Sequence, residues 1–302
     1  MPRRNGVRGP EGIFVTAGAV EGLYACVRAV TNPGEEVLVP DPGWPNNLAI
    51  TQVAGAVARR YQLRREDGYA ITADAVRRAL TPQTRAVIVN SPSNPLGVVA
   101  ARSQWVELIE LAYQRGLWLI SDECYDELVF SGESFSPAAL DPQAPVLSVF
   151  SFSKTYAMTG WRVGYVAAPP AARATVATIQ ESILSSMNAP AQHAALAALK
   201  GPQDMVATMR NSYAQRRDIA IGVLDDRGIA CLRPDGAFYL WVDVRDSGMS
   251  SATFAGALLE QSAVATVPGS AFGPQGEGWL RVSLASDEAV LVAGLQRMCD
   301  LM

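Results

Sequence analysis

The stretch Ser151–Tyr165, SFSKTYAMTGWRVGY, contains one of only two lysines in the chain. Lys200 is the other, and the remaining 23 of the 25 basic residues are arginine. The run just before it, APVLSVFSFSK, is apolar and β-branched and reads as a buried strand, which places Lys154 at a strand end. A primary amine condenses with an aldehyde to a Schiff base. A guanidinium, with a pKa above about 12, cannot act as that nucleophile. Lys154 is therefore a candidate nucleophile. The competing reading is a plain surface lysine, and Lys200 shows that stray lysines occur.

Outward from this stretch, strand-like runs alternate with helical patterns. GIFVTAG reads as a strand and AVEGLYACVRAV as the helix after it; EEVLVPDPGW and RAVIVNSPSNPLG read as strands ending in Pro/Gly turns. RSQWVELIELAYQRG is helical, with apolar Trp105, Leu108, Ile109 and Ala112 on one face, and LWLISDECYDELVF begins as a strand. The alternation predicts an α/β fold with a mostly parallel sheet flanked by helices. After about Asp204 the character changes. A long helix stopped by Gly228 precedes short strands (GAFYLWVDV, WLRVSLA) and helices (SATFAGALLEQSA, DEAVLVAGLQRMCDLM), which predicts a smaller α+β C-terminal domain. The expected division is residues 1–206 and 207–302.

Bulk properties narrow the chemistry. The 302 residues are 49% hydrophobic and 18% charged with a net charge of -4, which suits a globular protein and gives no electrostatic reason for a nucleic-acid partner. No run approaches a membrane-spanning length, and MPRRNGVRGPEG has no apolar core of a signal peptide. Cys26, Cys124, Cys231 and Cys299 form no CxxC pair, so neither a zinc site nor a disulfide framework is expected and a cytoplasmic location is. The single histidine, His193, excludes chemistry that needs several imidazoles and is expected to pack within a helix; no metal site is expected.

In an open α/β sheet, ligands bind beyond the carboxyl ends of the strands. Asn94, Asp122 with Tyr125, and the Ser151–Lys154 group all stand at such ends. Taken singly, each is equally an ordinary loop residue. Together they carry a resemblance: SFSKTYAMTGWRVGY resembles the lysine segment of class I/II, fold-type I aminotransferases, which use pyridoxal 5'-phosphate. VTAGAVEGLYA, DPGWPN, NSPSNPLG, SDECYDEL, RPDGAFYLW, VPGSAFG and RVSLA follow the family order, from about Gly12 to the C-terminus.

The resemblance implies roles position by position. Lys154 would hold the cofactor as an aldimine and later move the substrate's α-proton. Asp122 would pair with the pyridine nitrogen, and Asn94 and Tyr125 with the ring 3'-oxygen. Trp44 would stack on the ring. Ser151, Ser153, Arg162 and the helix start at Gly18, Ala19 and Val20 would take the phosphate. Arg281 would bind the substrate α-carboxylate, with Asn94 and Trp44 beside it. Pro234, Gly236 and Phe238 would line the substrate mainly through backbone shape, and Cys124 would only pack. The activity implied is ping-pong transfer of an amino group between an amino acid and a 2-oxo acid by a homodimer. A β-lyase or synthase on the same scaffold, or a catalytically weak short relative, are the alternatives. Some aspartate-directed members carry a lysine where Val20 stands, so no strong dicarboxylate preference is expected from that position. The family also has several dozen residues before the phosphate turn. A chain lacking them is expected to have a pocket open on one side and a weakened dimer.

Overall fold

Buried, β-branched segments build the main sheet. In the computed structural model, which describes residues 10–133 and 135–302, its strands are β1 (Ile13–Thr16), β2 (Glu36–Asp41), β3 (Val57–Gln62), β4 (Thr84–Asn90), β5 (Trp118–Asp122), β6 (Val146–Ser151) and β7 (Gly164–Ala167). Their order is β1-β7-β6-β5-β4-β2-β3. From β3 to β6 all neighbours are parallel, while β7 runs antiparallel to both β6 and β1. The expected mostly parallel sheet is present, with β7 as its exception.

The helices between these strands are α1 (Ala19–Val30), α2 (Pro45–Val53), α3 (Ala73–Ala79), α4 (Arg102–Arg115) and the single turn α5 (Phe152–Thr155); α6 (Arg173–Leu184) and α7 (Ala189–Lys200) follow β7. Strand residues alternate faces, so neighbours along β4 feed two different cores. Val87 and Val89 pack with α3 and with Trp105 and Leu108 of α4; Ala86 and Ile88 pack with Leu23, Cys26 and Val27 of α1. Each large apolar side chain buried in this way contributes about 1.5–3 kcal/mol. Helix α4 stops where its pattern stops: Gly116 adopts φ 63° and returns its N–H to the Ala112 carbonyl.

The chain then enters α8 (Asp204–Asp225), β8 (Cys231–Leu232), β9 (Tyr239–Asp243), α9 (Ser251–Ser262), β10 (Val267–Pro268), β11 (Trp279–Ser283) and α10 (Glu288–Leu301). The four strands form a second, antiparallel sheet in the order β10-β11-β9-β8. Ala220 and Leu224 of α8, Phe254 of α9, and Leu291 and Leu295 of α10 share a core with this sheet, and Tyr125 and Leu128 join it from the main-sheet side. Residues 206 and 207 both lie in the first turn of α8. Gly228 adopts φ 69°, three residues after α8 ends.

Candidate active site

Register brings the polar strand ends together. Asn90 lies opposite Asp122 across β4 and β5, and Gly164 lies opposite both Ser151 and Thr16. Because β7 is antiparallel, its first residue stands beside the last residues of β1 and β6. That one reversal places the Gly18 turn next to the Ser151–Lys154 segment. Gly164 allows the approach. A Cβ there would lie 2.6 Å from the Phe150 carbonyl and 3.0 Å from the Ala19 nitrogen, too close for any side chain.

At the end of β6, the Ser151 hydroxyl accepts the Ser153 N–H at 3.1 Å and caps α5. This turn projects Lys154, which is half-buried. Burial pulls its amine below the ordinary lysine value; the Cys124 thiol opposes the shift, and the cations Arg281 and Arg162 add to it. Its Nζ stands 5.5 Å from the centre of the Phe238 ring. At the end of β5, Asp122 is buried and accepts the Cys124 N–H at 3.2 Å. Burial raises its carboxyl above the usual carboxylate range. Among the described residues it makes no ion pair.

Gly18 caps α1 with φ 80°, and among the described residues no side chain makes a capping hydrogen bond there. Arg162, itself left-handed at φ 51°, lies across this turn and donates to the Thr159 and Ala17 carbonyls at 3.1 and 3.5 Å. A Cβ on Gly18 would come within 2.5 Å of Arg162 Nη2. Ala19 is buried behind the turn, and Val20 faces outward, 38% exposed. Trp44, half-buried, caps α2 and packs on the same core as Cys124.

The second sheet closes the crevice from the other side. Arg281 of β11 donates from Nη1 to Asn94 Oδ1 at 2.9 Å, joining two segments 187 residues apart. Its guanidinium lies 4.3 Å from the Tyr239 ring centre and 4.9 Å from that of Phe272, and its buried Nε has no hydrogen-bond partner among the described residues. Tyr125 and Tyr239 share a hydrogen bond between hydroxyls at 3.0 Å. Burial and Tyr239 both push the Tyr125 phenol well above its ordinary value. The Asp235 and Gly236 N–H groups donate to the Gly97 carbonyl at 3.0 and 2.9 Å. Pro234 and Gly236 are thereby fastened to the NSPSNPLG turn through the backbone, whereas Phe238 meets Lys154 with its ring.

Gly18, Asn94, Asp122, Tyr125, Ser151, Ser153, Lys154, Arg162, Phe238 and Arg281 stand around this crevice, whereas Cys231 and Cys299 pack with the small-sheet core and Cys26, on α1, with the main-sheet core. His193 is a correction. It is exposed, because α7 buries only Ala191 and Ala195, and His193 sits between them on the opposite side. Lys200 is the exposed end of α7. Three residues were missed. Asn90 donates to the Asp122 carbonyl at 3.1 Å and accepts the Asn94 N–H at 2.7 Å, so it ties two site residues together. Its signal was an amide ending an apolar run. Tyr239 gave no signal, because it reads as one more aromatic in a strand. Arg217 is buried in α8, donates to the Pro234 carbonyl at 3.2 Å and lies 5.1 Å from the Phe130 ring centre, but in sequence it resembles a solvated helix cation.

Residues 7–298 match the family described as aminotransferase class I and II. The chain is 41% identical over 276 residues to an arginine–pyruvate transaminase, AruH, of Pseudomonas aeruginosa, covering 91% of this chain and 70% of that one. It is 35% identical to an aspartate/prephenate aminotransferase of Thermus thermophilus, covering 99% and 78%. Among solved structures, an aromatic aminotransferase from Pyrococcus horikoshii superposes with a TM-score of 0.95 at 34% identity, covering 99% of this chain and 82% of that one. With this fold, this crevice and these relatives, the chain belongs to the class I and II aminotransferases, fold-type I enzymes that use pyridoxal 5'-phosphate to move an amino group between an amino acid and a 2-oxo acid.

Proposed function

We propose that Lys154 binds the cofactor and that the crevice takes amino acids and 2-oxo acids in turn, in a ping-pong cycle. The observation carrying this reading is the meeting, in one crevice, of a half-buried amine, a buried carboxyl that makes no ion pair among the described residues, and an arginine fork. When bound, the cofactor supplies an aldehyde carbon and a pyridine ring that draws electrons from the substrate α-carbon.

The residues fit that group. Asp122 carries a desolvation cost that a protonated ring nitrogen would offset with an opposite charge. The open N–H groups after Gly18, the Arg162 fork and the hydroxyls of Ser151 and Ser153 form an anion cradle. Asn94 and Tyr125 supply an amide and a phenol for the ring oxygen, and the indole of Trp44 offers a ring face. Burial favours the neutral amine of Lys154, the form that attacks an aldehyde and that removes the α-proton once displaced. Arg281 orients the substrate carboxylate with a guanidinium already fixed by Asn94 and two rings. Residues 1–206 would then carry the cofactor and residues 207–302 the carboxylate site, as two lobes meeting at Lys154. Val20 presents no cation at the rim, so a strong dicarboxylate preference is not expected from that position.

We place the protein in the cytoplasm as a homodimer. Its four cysteines are unpaired, and among the described residues no helix is long and apolar enough to cross a membrane. Ile183 on α6 and Leu196 on α7 are exposed on helices that bury little of themselves, which supports coverage by a second copy. Sedimentation of the purified protein tests the dimer. Adding amino acids one at a time to cofactor-loaded protein tests the chemistry. The reading expects a visible band that depends on Lys154 and is converted by the correct donor, with release of its 2-oxo acid; a protein that never shows the band ends it.

A further inference from the structure

We propose that Tyr239 is a positioning residue that couples the cofactor's ring oxygen to the substrate carboxylate site. The proposal rests on the assignment of Tyr125 and Arg281 above. One side chain serves both groups from opposite parts of its ring. Its hydroxyl is 3.0 Å from the Tyr125 hydroxyl, and its face lies 4.3 Å from the Arg281 guanidinium. Tyr239 is 7% exposed and Tyr125 is 5% exposed, so water does not substitute freely for either contact.

A phenol has one proton and two lone pairs. If Tyr125 gives its proton to the cofactor's 3'-oxygen, its own oxygen is left to accept, and Tyr239 is the donor in place. A hydrogen bond donated to Tyr125 makes Tyr125 a stronger donor in turn. The 3'-oxygen is then held more firmly as the anion, and the titration of the Lys154-bound cofactor moves to lower pH. The ring has a separate task. Arg281 is held by the Asn94 amide oxygen and by the rings of Tyr239 and Phe272, over which its guanidinium lies, while its Nε has no hydrogen-bond partner among the described residues. Stacking therefore sets the plane of the fork that the carboxylate must meet.

Two substitutions separate the tasks. Tyr239→Phe keeps the ring and removes the hydroxyl. It is expected to raise the pKa read from the pH titration of the cofactor absorbance by about half a unit to one unit, with KM for the amino acid donor unchanged. The shift should vanish in a Tyr125→Phe background, because the hydroxyl acts only through Tyr125. Tyr239→Leu removes the ring as well and is expected to raise KM about fivefold to thirtyfold beyond the Phe variant, with a smaller change in kcat. A Tyr239→Phe protein that holds the cofactor yet titrates like the wild type overturns the proposal. So does a shift of equal size with and without Tyr125, which would mark a general structural effect. A wild-type protein with no Lys154-dependent band overturns the assignment of the site, and this inference with it.

Discussion

The two sheets deliver functional side chains in different ways. The main sheet uses its edge: Asn90, Asp122 and Ser151 are last residues of β4, β5 and β6, and Lys154 and Asn94 stand in the turns that follow. The small sheet uses its face: Tyr239 and Arg281 lie within β9 and β11 and look across at that edge. On the proposed assignment, the edge would supply the groups that react or carry charge toward the cofactor. The face would supply the groups that orient. Edge residues sit on turns secured by side-chain and backbone hydrogen bonds, such as Asn90 to Asn94 and Ser151 to Ser153. Face residues inherit their rigidity from the strand ladder and from stacked rings.

The sharpest way to break this contrast is at the edge. Lys154→Arg keeps a cation but removes the amine nucleophile, so turnover should fall about 10⁴-fold and the cofactor's visible band should be lost. A variant that retained the band would mean that another group carries the aldehyde. A face substitution should behave differently. Arg281→Lys keeps the charge and loses the planar fork. KM for both the amino acid and the 2-oxo acid should rise about 10–100-fold, while the absorbance of the loaded protein stays at its wild-type wavelength. Steady-state kinetics beside a spectrum decide it; a large loss of the band in Arg281→Lys would erase the distinction between edge and face.

The same contrast explains what was legible in the sequence. Asp122 ends the strand run and Lys154 breaks a chain that otherwise writes its positive charge as arginine, so both stood out, whereas Asn94 was marked by the turn motif around it and Asn90, which ends β4, was passed over. Tyr239 continues the pattern of GAFYLW, and only the opposing Tyr125 hydroxyl, 114 residues away, gives it a task. Arg217 had the same difficulty, since its partners are the Phe130 ring, far from α8 in sequence, and the Pro234 carbonyl, which only the fold turns back onto the helix. The direction of β7 was not readable either. Twelve residues separate β6 from β7, a length that suits a parallel crossover as well as a return. The choice is made by packing, with Gly164 fitting between Phe150 and the Gly18 turn. Gly164→Ala should therefore separate the two edge segments. The clashing atoms belong to backbone and cannot rotate away, so a loss of about 1–3 kcal/mol of stability is expected, together with weaker cofactor retention. Denaturant midpoints with and without cofactor measure both; equal losses in the two conditions would confine Gly164 to the fold.

The effect with no consequence for the cofactor lies one residue beyond the edge. Glu123 follows Asp122, yet it is buried away from the crevice and accepts the Ser136 hydroxyl at 3.1 Å. Burial pushes its carboxyl up to about 8, against the hydroxyls of Ser148 and Ser136, which favour the charged form. Because the folded value exceeds the ordinary one of about 4.5, the folded protein holds a proton between those limits that the unfolded chain has released. The contribution of this group to stability is therefore complete below about pH 4.5 and is lost as pH rises through about 8. Glu123→Gln is neutral throughout and should remove that slope, worth about 1 kcal/mol per pH unit within the window. The difference between wild-type and variant unfolding free energies should shift steadily in the variant's favour from pH 5 to pH 8 and level off above it. Asp122 remains in both proteins, so its titration cancels in the difference. Parallel curves would mean that Glu123 is already ionised in the folded protein, and that a charge next to Asp122 is tolerated where burial alone would forbid it.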